Sequence, residues 1–496
     1  MSSLTKKTIF TFSFMFMLSL LLVFYGSHIS GNDFWWHVKV GQWVVEHRSV
    51  PDHDIFSWVG MMDNIEWTPH EWLSDVIFYL ILKAGGELGV FMFSLGSGIL
   101  MCGLMAWKMR KRLEESMGLT CLFLALFTVQ VTMFFYGRPH LFSNFLLFGE
   151  MYLLYRFRDH EDFKGIYGVP VIAALWSNLH GGSANLSYIL PIVMLAGGLK
   201  EFSFGRVESV KFTRRQRITL LCIAAASAGA ILINPVGMDV LIYPYKSMND
   251  DFMLSVISEW ASPDAKQLGQ LLFMFLPVFI IVSGMIFGKK KLKLSDALFM
   301  LFFLVLFFRS IRFCIIFCIA GSFFGGAYFI PIKSKDIKKV RDVVIVLGVG
   351  GAFVAGALWY FISGLMKSDG NYIDKVLSDE MVSFVKEHPA QRIYNDYDLG
   401  EALIYNDIEV FVDARADLFA QEYLLRDAVG LLYVQKSEAK LNEGQKRVLE
   451  PEDIIGKYEF DAFLVGKSRG IYFYLKNDSR FQLVKEDENN AYFITK

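Results

Sequence analysis

The chain has 496 residues, of which 54% are hydrophobic and 16% aromatic, and its formal net charge is −1. Its mean hydropathy of +0.38 excludes an ordinary soluble domain and predicts a polytopic membrane protein. The acidic and basic residues nearly cancel, so no strongly charged partner is implied.

The apolar runs predict a multispanning helical protein. About 20 apolar residues cross a bilayer core, and such runs recur from Ile9 to Phe361. The first run lacks a small-residue cleavage site before Asp33, which predicts a retained signal anchor. About eleven transmembrane helices result, near residues 8–27, 74–107, 118–136, 141–156, 165–179, 184–199, 216–233, 267–288, 295–308, 311–330 and 342–365.

The basic clusters predict the orientation of these spans. Lysine and arginine gather at span ends that the segmentation makes cytoplasmic, as expected for a protein of the cytoplasmic membrane: Lys6/Lys7, 108–112, Arg156/Arg158, 211–217, 289–293 and 333–341. An odd number of spans then predicts a cytoplasmic N-terminus and an extracytoplasmic C-terminal domain. Because topology explains the basic clusters, no nucleic-acid partner is implied.

The composition changes at residue 367, where long apolar runs stop and charge rises. Alternating residues predict strands at 409–413 and 470–475, and helical patterns cover 399–405 and 421–436. The chain is therefore predicted to have a transmembrane domain, 1–366, with a first external loop, 28–73. A small extracytoplasmic α/β domain, 367–496, follows it.

An acidic and aromatic cluster follows the first predicted span. Asp33 precedes Phe34, Trp35 and Trp36, and such aromatic residues are typical of lipid headgroup depth. A partly desolvated carboxylate there can act as a general base toward a hydroxyl, or Asp33 can cap the helix that begins at Trp35. His37 lies one helical turn further on and can share this site or serve as a hydrogen-bonded anchor. Asp33 and His37 are thus candidate catalytic residues.

Glu71 is the third candidate catalytic residue. It is spaced i, i+4 from Asp75 on a helix predicted to start near Pro69, with His70 in the first turn. Both carboxylates then face the same way, and their repulsion is relieved by a metal, an arginine or solvent.

Asp52 and Asp54 are candidate metal ligands in the same loop. They follow Pro51 and are two residues apart, so an extended backbone points both side chains the same way. Hard oxygen ligands suit Mg²⁺ or Mn²⁺, which would neutralise a phosphate leaving group. The alternative is an ordinary turn, since Pro-Asp-His-Asp is also favourable turn chemistry.

Arginine and histidine recur at the predicted external ends of spans. Arg138 and His140 open one span, His180 closes another, and Arg309 and Arg312 lie in a tight hairpin. Guanidinium groups offer fork-shaped, permanently charged donors that suit a lipid-linked phosphate. These five residues are candidate phosphate ligands, and snorkelling or structural pairing is the alternative for the arginines.

Short motifs along nearly the whole chain carry a family resemblance. They resemble those of a group of bacterial multispanning membrane proteins, and that group is similar to GT-C glycosyltransferases. The motifs are Asp33–His37, Val50–Ser57, Trp67–Leu73, Arg138–His140, Asn178–Gly182, Asn234–Gly237, Ser258–Trp260, Tyr394–Gly400 and Phe411–Arg415.

The resemblance implies a GT-C-like fold and a glycosyltransferase reaction. In that superfamily an acidic residue of the first external loop acts as base or metal ligand, and a polyprenyl-phosphate sugar is the donor. Asp33 matches the position nearest the first span, and Asp52 and Asp54 are the other candidates. The Trp-Trp-Asp run of oligosaccharyltransferase tails is absent from this tail, which argues against protein N-glycosylation.

The expected function is therefore transfer of a sugar from a polyprenyl-phosphate donor to an acceptor at the external membrane face. The acceptor can be a glycan, a lipid or a protein, and the tail can present it through Asp413 and Arg415. That pair can equally be a structural ion pair. Two alternatives are a transporter of lipid-linked substrates and a non-catalytic scaffold. Few ionisable residues lie in mid-span, unlike in transporters, and a mere anchor would not need the clustered Asp, His and Arg.

Overall fold

A computed structural model describes residues 33–135, 137–247, 257–330, 376–421, 424–432 and 449–496, together with 8, 10–18, 21, 348, 351, 355, 356 and 434. Contacts divide the chain into two compact units. The helical unit comprises Met1–Ile29, Gly85–Leu241 and Glu259–Lys367. The loop–tail unit comprises Ser30–Ala84, Ile242–Ser258 and Ser368–Lys496. This grouping joins most of the first external loop to the tail, whereas the sequence-based boundaries assign that loop to the transmembrane domain.

Helices dominate the described residues. Those of six or more residues are α1 Phe34–His47, α2 Trp58–Asp63, α3 Trp72–Glu115, α4 Met117–Phe134, α5 His140–His160, α6 Gly168–Leu179, α7 Leu186–Ala196, α8 Arg214–Ile231, α9 Met238–Ser247, α10 Leu276–Phe287, α11 Leu294–Arg309, α12 Cys314–Ala320, α13 Asp379–Glu387, α14 Gly400–Tyr405, α15 Ala416–Gln421, α16 Leu424–Leu432, α17 Pro451–Tyr458 and α18 Gly470–Asn477. Single turns extend or separate them at Gly165–Tyr167, Gly181–Ala184, Ser258–Trp260, Leu268–Gln270, Leu271–Phe275, Ile311–Phe313, Gly321–Gly325, Gly326–Tyr328 and Tyr397–Leu399.

Four helices within the described residues are long and apolar enough to cross a membrane: Trp72–Glu115, Met117–Phe134, Leu268–Phe287 and Ile311–Tyr328. Helix α3 is broken at Gly86, whose φ of 59° lies in the left-handed region that glycine adopts readily. The predicted spans between 118 and 330 coincide with helices. The predicted span 8–27 is only partly described and 342–365 lies largely outside the described residues, so the number of about eleven stays a prediction.

Two small sheets accompany the helices. Strands β1 Phe202–Phe204, β2 Val207–Ser209 and β3 Leu292–Lys293 form one sheet in the helical unit. The tail contains β4 Ile393–Asn395, β5 Ala462–Gly466, β6 Phe481–Glu486 and β7 Asn490–Thr495, in the order β4-β5-β7-β6. Strands β4 and β5 are parallel, and β7 is antiparallel to both β5 and β6. With the helices around it, this sheet confirms the α/β class of the tail.

Two predicted strands of the tail are wrong. Residues 470–475 belong to helix α18, which buries Ile471, Tyr472 and Leu475. That spacing is helical, and a short run of aromatic residues does not distinguish the two periods. Residues 409–413 form no named strand, and Val410 makes only an isolated parallel bridge with Ser57. The predicted helices at 399–405 and 421–436 are present as α14 and, in the described part, α16.

Candidate functional site

Asp33 lies immediately before α1 in the loop–tail unit, and its side chain makes no capping hydrogen bond to that helix. Helix α1 packs against α14 of the tail: the ring centroids of Trp35 and Tyr405 are 4.7 Å apart, edge to face. Lys39 also forms an ion pair with Asp407. These contacts place the first turn of α1 beside the last residue of α14 and the residues that follow it.

Glu401 lies in the first turn of α14. Its side chain is buried, with 4% of the residue exposed. Burial raises the pKa of Glu401 well above its ordinary value, and the nearby carboxylate of Asp33 raises it further, followed by those of Asp413 and Asp398. The charge of Asp33 thus reaches the buried carboxyl of Glu401 within the loop–tail unit. Sequence reasoning treated 399–405 as a helix only and missed Glu401, because no local pattern indicates that this helix adjoins Asp33.

His37 and Glu71 come together as candidate catalytic residues. The Nδ1 atom of His37 lies 2.6 Å from Oδ1 of Asp75, and its Nε2 atom lies 3.8 Å from Oε2 of Glu71. His70 approaches the other oxygen of Glu71, with Nε2 3.6 Å from Oε1. His37 thus lies beside both Glu71 and Asp75, and when protonated it relieves the repulsion that their spacing predicts.

The expected common direction of Asp52 and Asp54 is wrong. Asp54 is buried and accepts hydrogen bonds from Ser57, from the Phe56 backbone N–H at 3.0 Å and from Arg415 Nη1 at 2.7 Å. The Asp52 side chain is 92% exposed and lies 2.8 Å from Nδ1 of His53. The turn that Asp54 closes with Phe56 and Ser57 separates the two carboxylates, so the loop does not present a paired metal site there.

Arg415 forms a buried ion triad with Asp54 and Asp413. Its Nε and Nη2 atoms donate to the two oxygens of Asp413 at 2.9 Å and 2.7 Å, a bidentate pairing. The guanidinium carbon also lies 4.7 Å from the ring centroid of Trp67. The side chains of Asp413 and Arg415 are almost wholly buried. This arrangement supports the structural interpretation of the pair and connects the first external loop to the tail.

The helical unit contains a separate cluster of arginine and histidine, here the arginine cluster: Arg138, His140, His180, Glu259 and Arg312. Nη1 of Arg138 donates to Oε1 of Glu259 at 2.5 Å, and Nε of Arg312 lies 3.8 Å from Oε2 of the same carboxylate. Burial acts to raise the pKa of Glu259, but the charges of Arg138 and Arg312 hold it below its ordinary value. One carboxylate thus pairs with two guanidinium groups.

The two histidines complete the arginine cluster. Arg312 donates to Nε2 of His140, whose ring centroid lies 4.4 Å from that of His180. Ser143 Oγ lies 2.5 Å from Nδ1 of His180 and accepts a 2.7 Å hydrogen bond from Trp176 Nε1. Four of the five predicted phosphate ligands are therefore together.

Backbone contacts fix the segment that carries Glu259, which was not among the predicted ligands. Ser310 Oγ donates to the Glu259 carbonyl at 2.8 Å, and the Ile311 N–H donates to the Ala261 carbonyl at 3.0 Å. These bonds tie residues 259–261 to the turn between α11 and the helix that begins at Ile311. The fifth predicted ligand, Arg309, is the exposed last residue of α11.

No family model matches the chain, and no match is found among curated proteins. Similar solved structures include the oligosaccharyltransferase of Archaeoglobus fulgidus in the apo form, with a TM-score of 0.50, 10% identity and coverage of 93% of this chain and 69% of that one. AglB from the same organism, in complex with an inhibitory peptide and a dolichol-phosphate, has a TM-score of 0.48, 9% identity and coverages of 92% and 69%. ArnT from Cupriavidus metallidurans, bound to undecaprenyl phosphate, has a TM-score of 0.41, 10% identity and coverages of 99% and 98%.

At these identities the likeness concerns the fold, and the first of the three structures carries it. A common fold alone does not establish a common reaction. The predicted resemblance is confirmed at that level: the chain is similar in fold to this oligosaccharyltransferase and contains four helices long and apolar enough to cross a membrane among the described residues.

Proposed function

We propose that this chain is a membrane glycosyltransferase that transfers a sugar from a polyprenyl-phosphate donor to an acceptor at the external membrane face. The observation that carries the proposal is the arginine cluster, in which Arg138 and Arg312 share one carboxylate, within a GT-C-like fold. The two guanidinium groups that meet at Glu259 offer planar, permanently charged donors, and such donors suit a phosphate group.

The donor phosphate is assigned to the arginine cluster. Arg138 and Arg312 present planar donors to the phosphate oxygens, and His140 and His180 complete the lining. As the bond between the anomeric carbon and the phosphate oxygen breaks, the electron pair stays on that oxygen. Fixed positive charge then stabilises the leaving group more than it stabilises the bound donor. Arg309 is assigned to the approach of the lipid phosphate because it is exposed at the end of α11.

Asp33 is assigned as the general base. Its carboxylate takes the proton of the acceptor hydroxyl while the hydroxyl oxygen forms the new bond to the anomeric carbon. Burial and then the charge of Asp33 raise the pKa of Glu401 well above its ordinary value, so Glu401 holds its own proton while Asp33 carries the charge that takes up the proton of the acceptor. His37 and Glu71 hold the adjoining beginning of α3 against α1, so we assign them to positioning the first external loop rather than to the proton transfer itself.

Mg²⁺ or Mn²⁺ is proposed as a cofactor. Two pairs of acidic residues could hold the ion: Asp52 with Asp54, and Asp33 with Glu401. Asp54 is committed to Arg415, so Asp52 and Asp54 do not fit a shared ion. Asp33 and Glu401 fit better because the charge of Asp33 acts on the buried carboxyl of Glu401 within the loop–tail unit, and hard cations prefer carboxylate oxygens. When bound there, the ion would act as a Lewis acid toward an oxygen atom of the substrate.

The test is binding and turnover of a labelled polyprenyl-phosphate sugar panel by the purified full-length protein, with and without Mg²⁺ or Mn²⁺. Arg312→Ala should weaken donor binding by about tenfold to a hundredfold, as expected for loss of a charge-assisted hydrogen bond of about 1.5–3 kcal/mol. Arg312→Lys should retain part of the affinity because the charge remains while the fork is lost. Arg309→Ala is the matched control and should have the smaller effect.

The outcomes separate the three functional classes. Transfer or hydrolysis that depends on Arg312 supports the enzyme. Donor binding without turnover, together with donor movement across vesicle membranes, would favour the transporter. Failure of the wild-type protein to bind any member of the panel would contradict the proposal and favour the scaffold.

A further inference from the structure

The tail sheet has one edge where two parallel strands end together. Strands β4 and β5 run parallel with Ile393 opposite Ala462 and Asn395 opposite Leu464. Their carboxyl ends therefore open onto the same segments, 396–399 and 466–469. In sheets with parallel strands, ligands bind in the crevice outside these carboxyl ends because the following loops diverge there.

Asp396 lies directly after β4 at this edge and is 2% exposed. Its Oδ2 atom accepts a 2.7 Å hydrogen bond from the Gly466 N–H, and its own N–H donates to the Leu464 carbonyl at 3.1 Å. Its Oδ1 atom is buried and has no hydrogen-bond partner among the described residues. A buried acceptor without a donor costs about 1–3 kcal/mol in this setting. The backbone of Gly466 thus fixes the Asp396 side chain, and Oδ1 can accept a hydrogen bond from a bound ligand.

The rim of the edge carries both signs of charge. Arg469 forms an ion pair with Asp398, and its Nε atom lies 3.8 Å from Oδ2 of Asp396. Lys467, next along the same segment, donates to the Asp487 carbonyl at 2.9 Å. The two carboxylates, of Asp396 and Asp398, balance the charges of the two cations, Lys467 and Arg469. The edge therefore offers hydrogen-bond acceptors and donors side by side. This mixture favours a neutral ligand rich in hydroxyl groups over an anion or a metal ion, since each hydroxyl both donates and accepts.

The same segment leads to the proposed base. Residues 396–399 run directly into α14, where the charges of Asp33 and Asp398 both act on Glu401. A ligand whose hydroxyl reaches Oδ1 of Asp396 is therefore bound in the same loop–tail unit as Asp33.

From these contacts we infer that the carboxyl edge of β4 and β5 is the acceptor subsite, and that the acceptor is a neutral, polyhydroxylated molecule such as a glycan. Asp396 accepts a hydrogen bond from one hydroxyl, and Arg469 and Asp398 contact others at the rim. The assignment of this subsite to the acceptor rests on the proposed glycosyltransferase function. Its affinity for ligands rich in hydroxyl groups does not depend on that function.

Saccharide binding can be measured without turnover by saturation-transfer NMR on the full-length protein in lipid nanodiscs. The probes are glucose, lactose, cellobiose and maltose at millimolar concentration. Asp396→Asn is isosteric: its carbonyl oxygen can still accept from Gly466, but an NH₂ group replaces the unpaired oxygen. We expect the wild type to bind at least one disaccharide, and Asp396→Asn to bind it about tenfold more weakly or not at all.

Two further variants exclude a folding artefact. Asp427→Asn changes a similarly buried tail carboxylate, bonded to Tyr458 at 2.7 Å and away from this edge, and should leave saccharide binding unchanged. Asp398→Asn lies on the exposed rim, should fold normally and should weaken binding to a lesser degree.

The inference is overturned if the wild type binds none of the four saccharides, or if Asp396→Asn binds them as well as the wild type. Loss of binding in Asp427→Asn as well would also overturn it, because a general effect of tail packing would then explain the result. Donor binding, measured in parallel on the same preparations, decides the proposed function separately.

Discussion

At the scale of single residues, the two aspartates of the first external loop have different environments. Asp33 adjoins the buried carboxylate Glu401, whereas the Asp52 side chain is 92% exposed and contacts only the neighbouring His53 among the contacts described. An exposed carboxylate beside a histidine of its own turn is poorly placed to act on a bound substrate. The structure therefore separates two candidates that sequence alone leaves equivalent.

We predict that Asp33→Asn reduces sugar transfer by at least about a hundredfold, because the amide cannot take the proton of the acceptor. Asp52→Asn, the matched control in the same loop, should retain transfer within about twofold, as expected for an exposed surface change. Initial rates of transfer on purified protein, with membrane insertion checked by extraction, provide the measurement. Normal transfer by a folded Asp33→Asn protein would remove Asp33 as the base.

Asp396 predicts a pH dependence of stability. Burial raises the pKa of Asp396 from 3.8 to about 7, with Gly466 and Arg469 opposing that rise. Because the folded state then binds the proton more tightly than the unfolded state, the stabilisation is complete below about pH 4 and is lost as pH rises through about 7. A shift of roughly three units corresponds to up to about 4 kcal/mol.

We expect Asp396→Asn to remove this pH-dependent stabilisation. The difference in unfolding temperature between the variant and the wild type should then change steadily between pH 4 and pH 7. Tryptophan fluorescence can follow it, since Trp58 contacts Phe411 and Phe460 of the tail at ring-centroid distances of 5.9 and 6.1 Å. Asp478→Asn, at an exposed ion pair with Arg480, serves as the control. A difference that does not vary with pH would show that Asp396 keeps an ordinary pKa.

At the scale of elements, the periodicity of the sequence predicts where the helices lie but not which distant residues they contact. Helices α4 to α8, α10 and α11 lie where apolar runs predict them, because each run is long, whereas α9 was not predicted. The partner of Asp54 is Arg415, 361 residues later in the chain, and no local pattern carries such information. The same holds for Glu401 beside Asp33. The acidic and basic residues were therefore predictable as candidates, but the grouping of the first external loop with the tail was not.

The ion triad is predicted to be the main polar connection of that grouping. Arg415→Met leaves Asp54 and Asp413 buried without their cation, which costs about 3–5 kcal/mol of unfolding free energy. Arg480→Met removes an exposed pair and should cost about 0–1 kcal/mol. Chemical denaturation followed by tryptophan fluorescence measures both.

A charge-balanced variant distinguishes the triad from simple packing. Adding Asp54→Asn and Asp413→Asn to Arg415→Met removes the unpaired charges, so a large part of the lost stability should return. If the triple variant is as unstable as Arg415→Met alone, the contribution of Arg415 lies in its contact with Trp67 and its neighbours and not in the triad.

At the scale of the whole molecule, the proposed reaction requires the tail to lie on the external side of the membrane. This placement follows from the basic clusters and the odd number of predicted spans. The five cysteines, Cys102, Cys121, Cys222, Cys314 and Cys318, lie outside the tail and the first external loop. A cysteine introduced into the tail would therefore report on that region without a native thiol nearby.

We predict that a Ser479→Cys protein is labelled by a membrane-impermeant maleimide in intact cells, because Ser479 is exposed in the turn before β6. Lys290→Cys, in the exposed basic segment 289–293, should be labelled only after the membrane is opened. The unmodified chain in intact cells gives the background from Cys222, its exposed native cysteine. The reverse pattern would place the tail in the cytoplasm. In that case the arginine cluster could still bind phosphate, but transfer would have to occur at the cytoplasmic face, and the proposed external acceptor would be wrong.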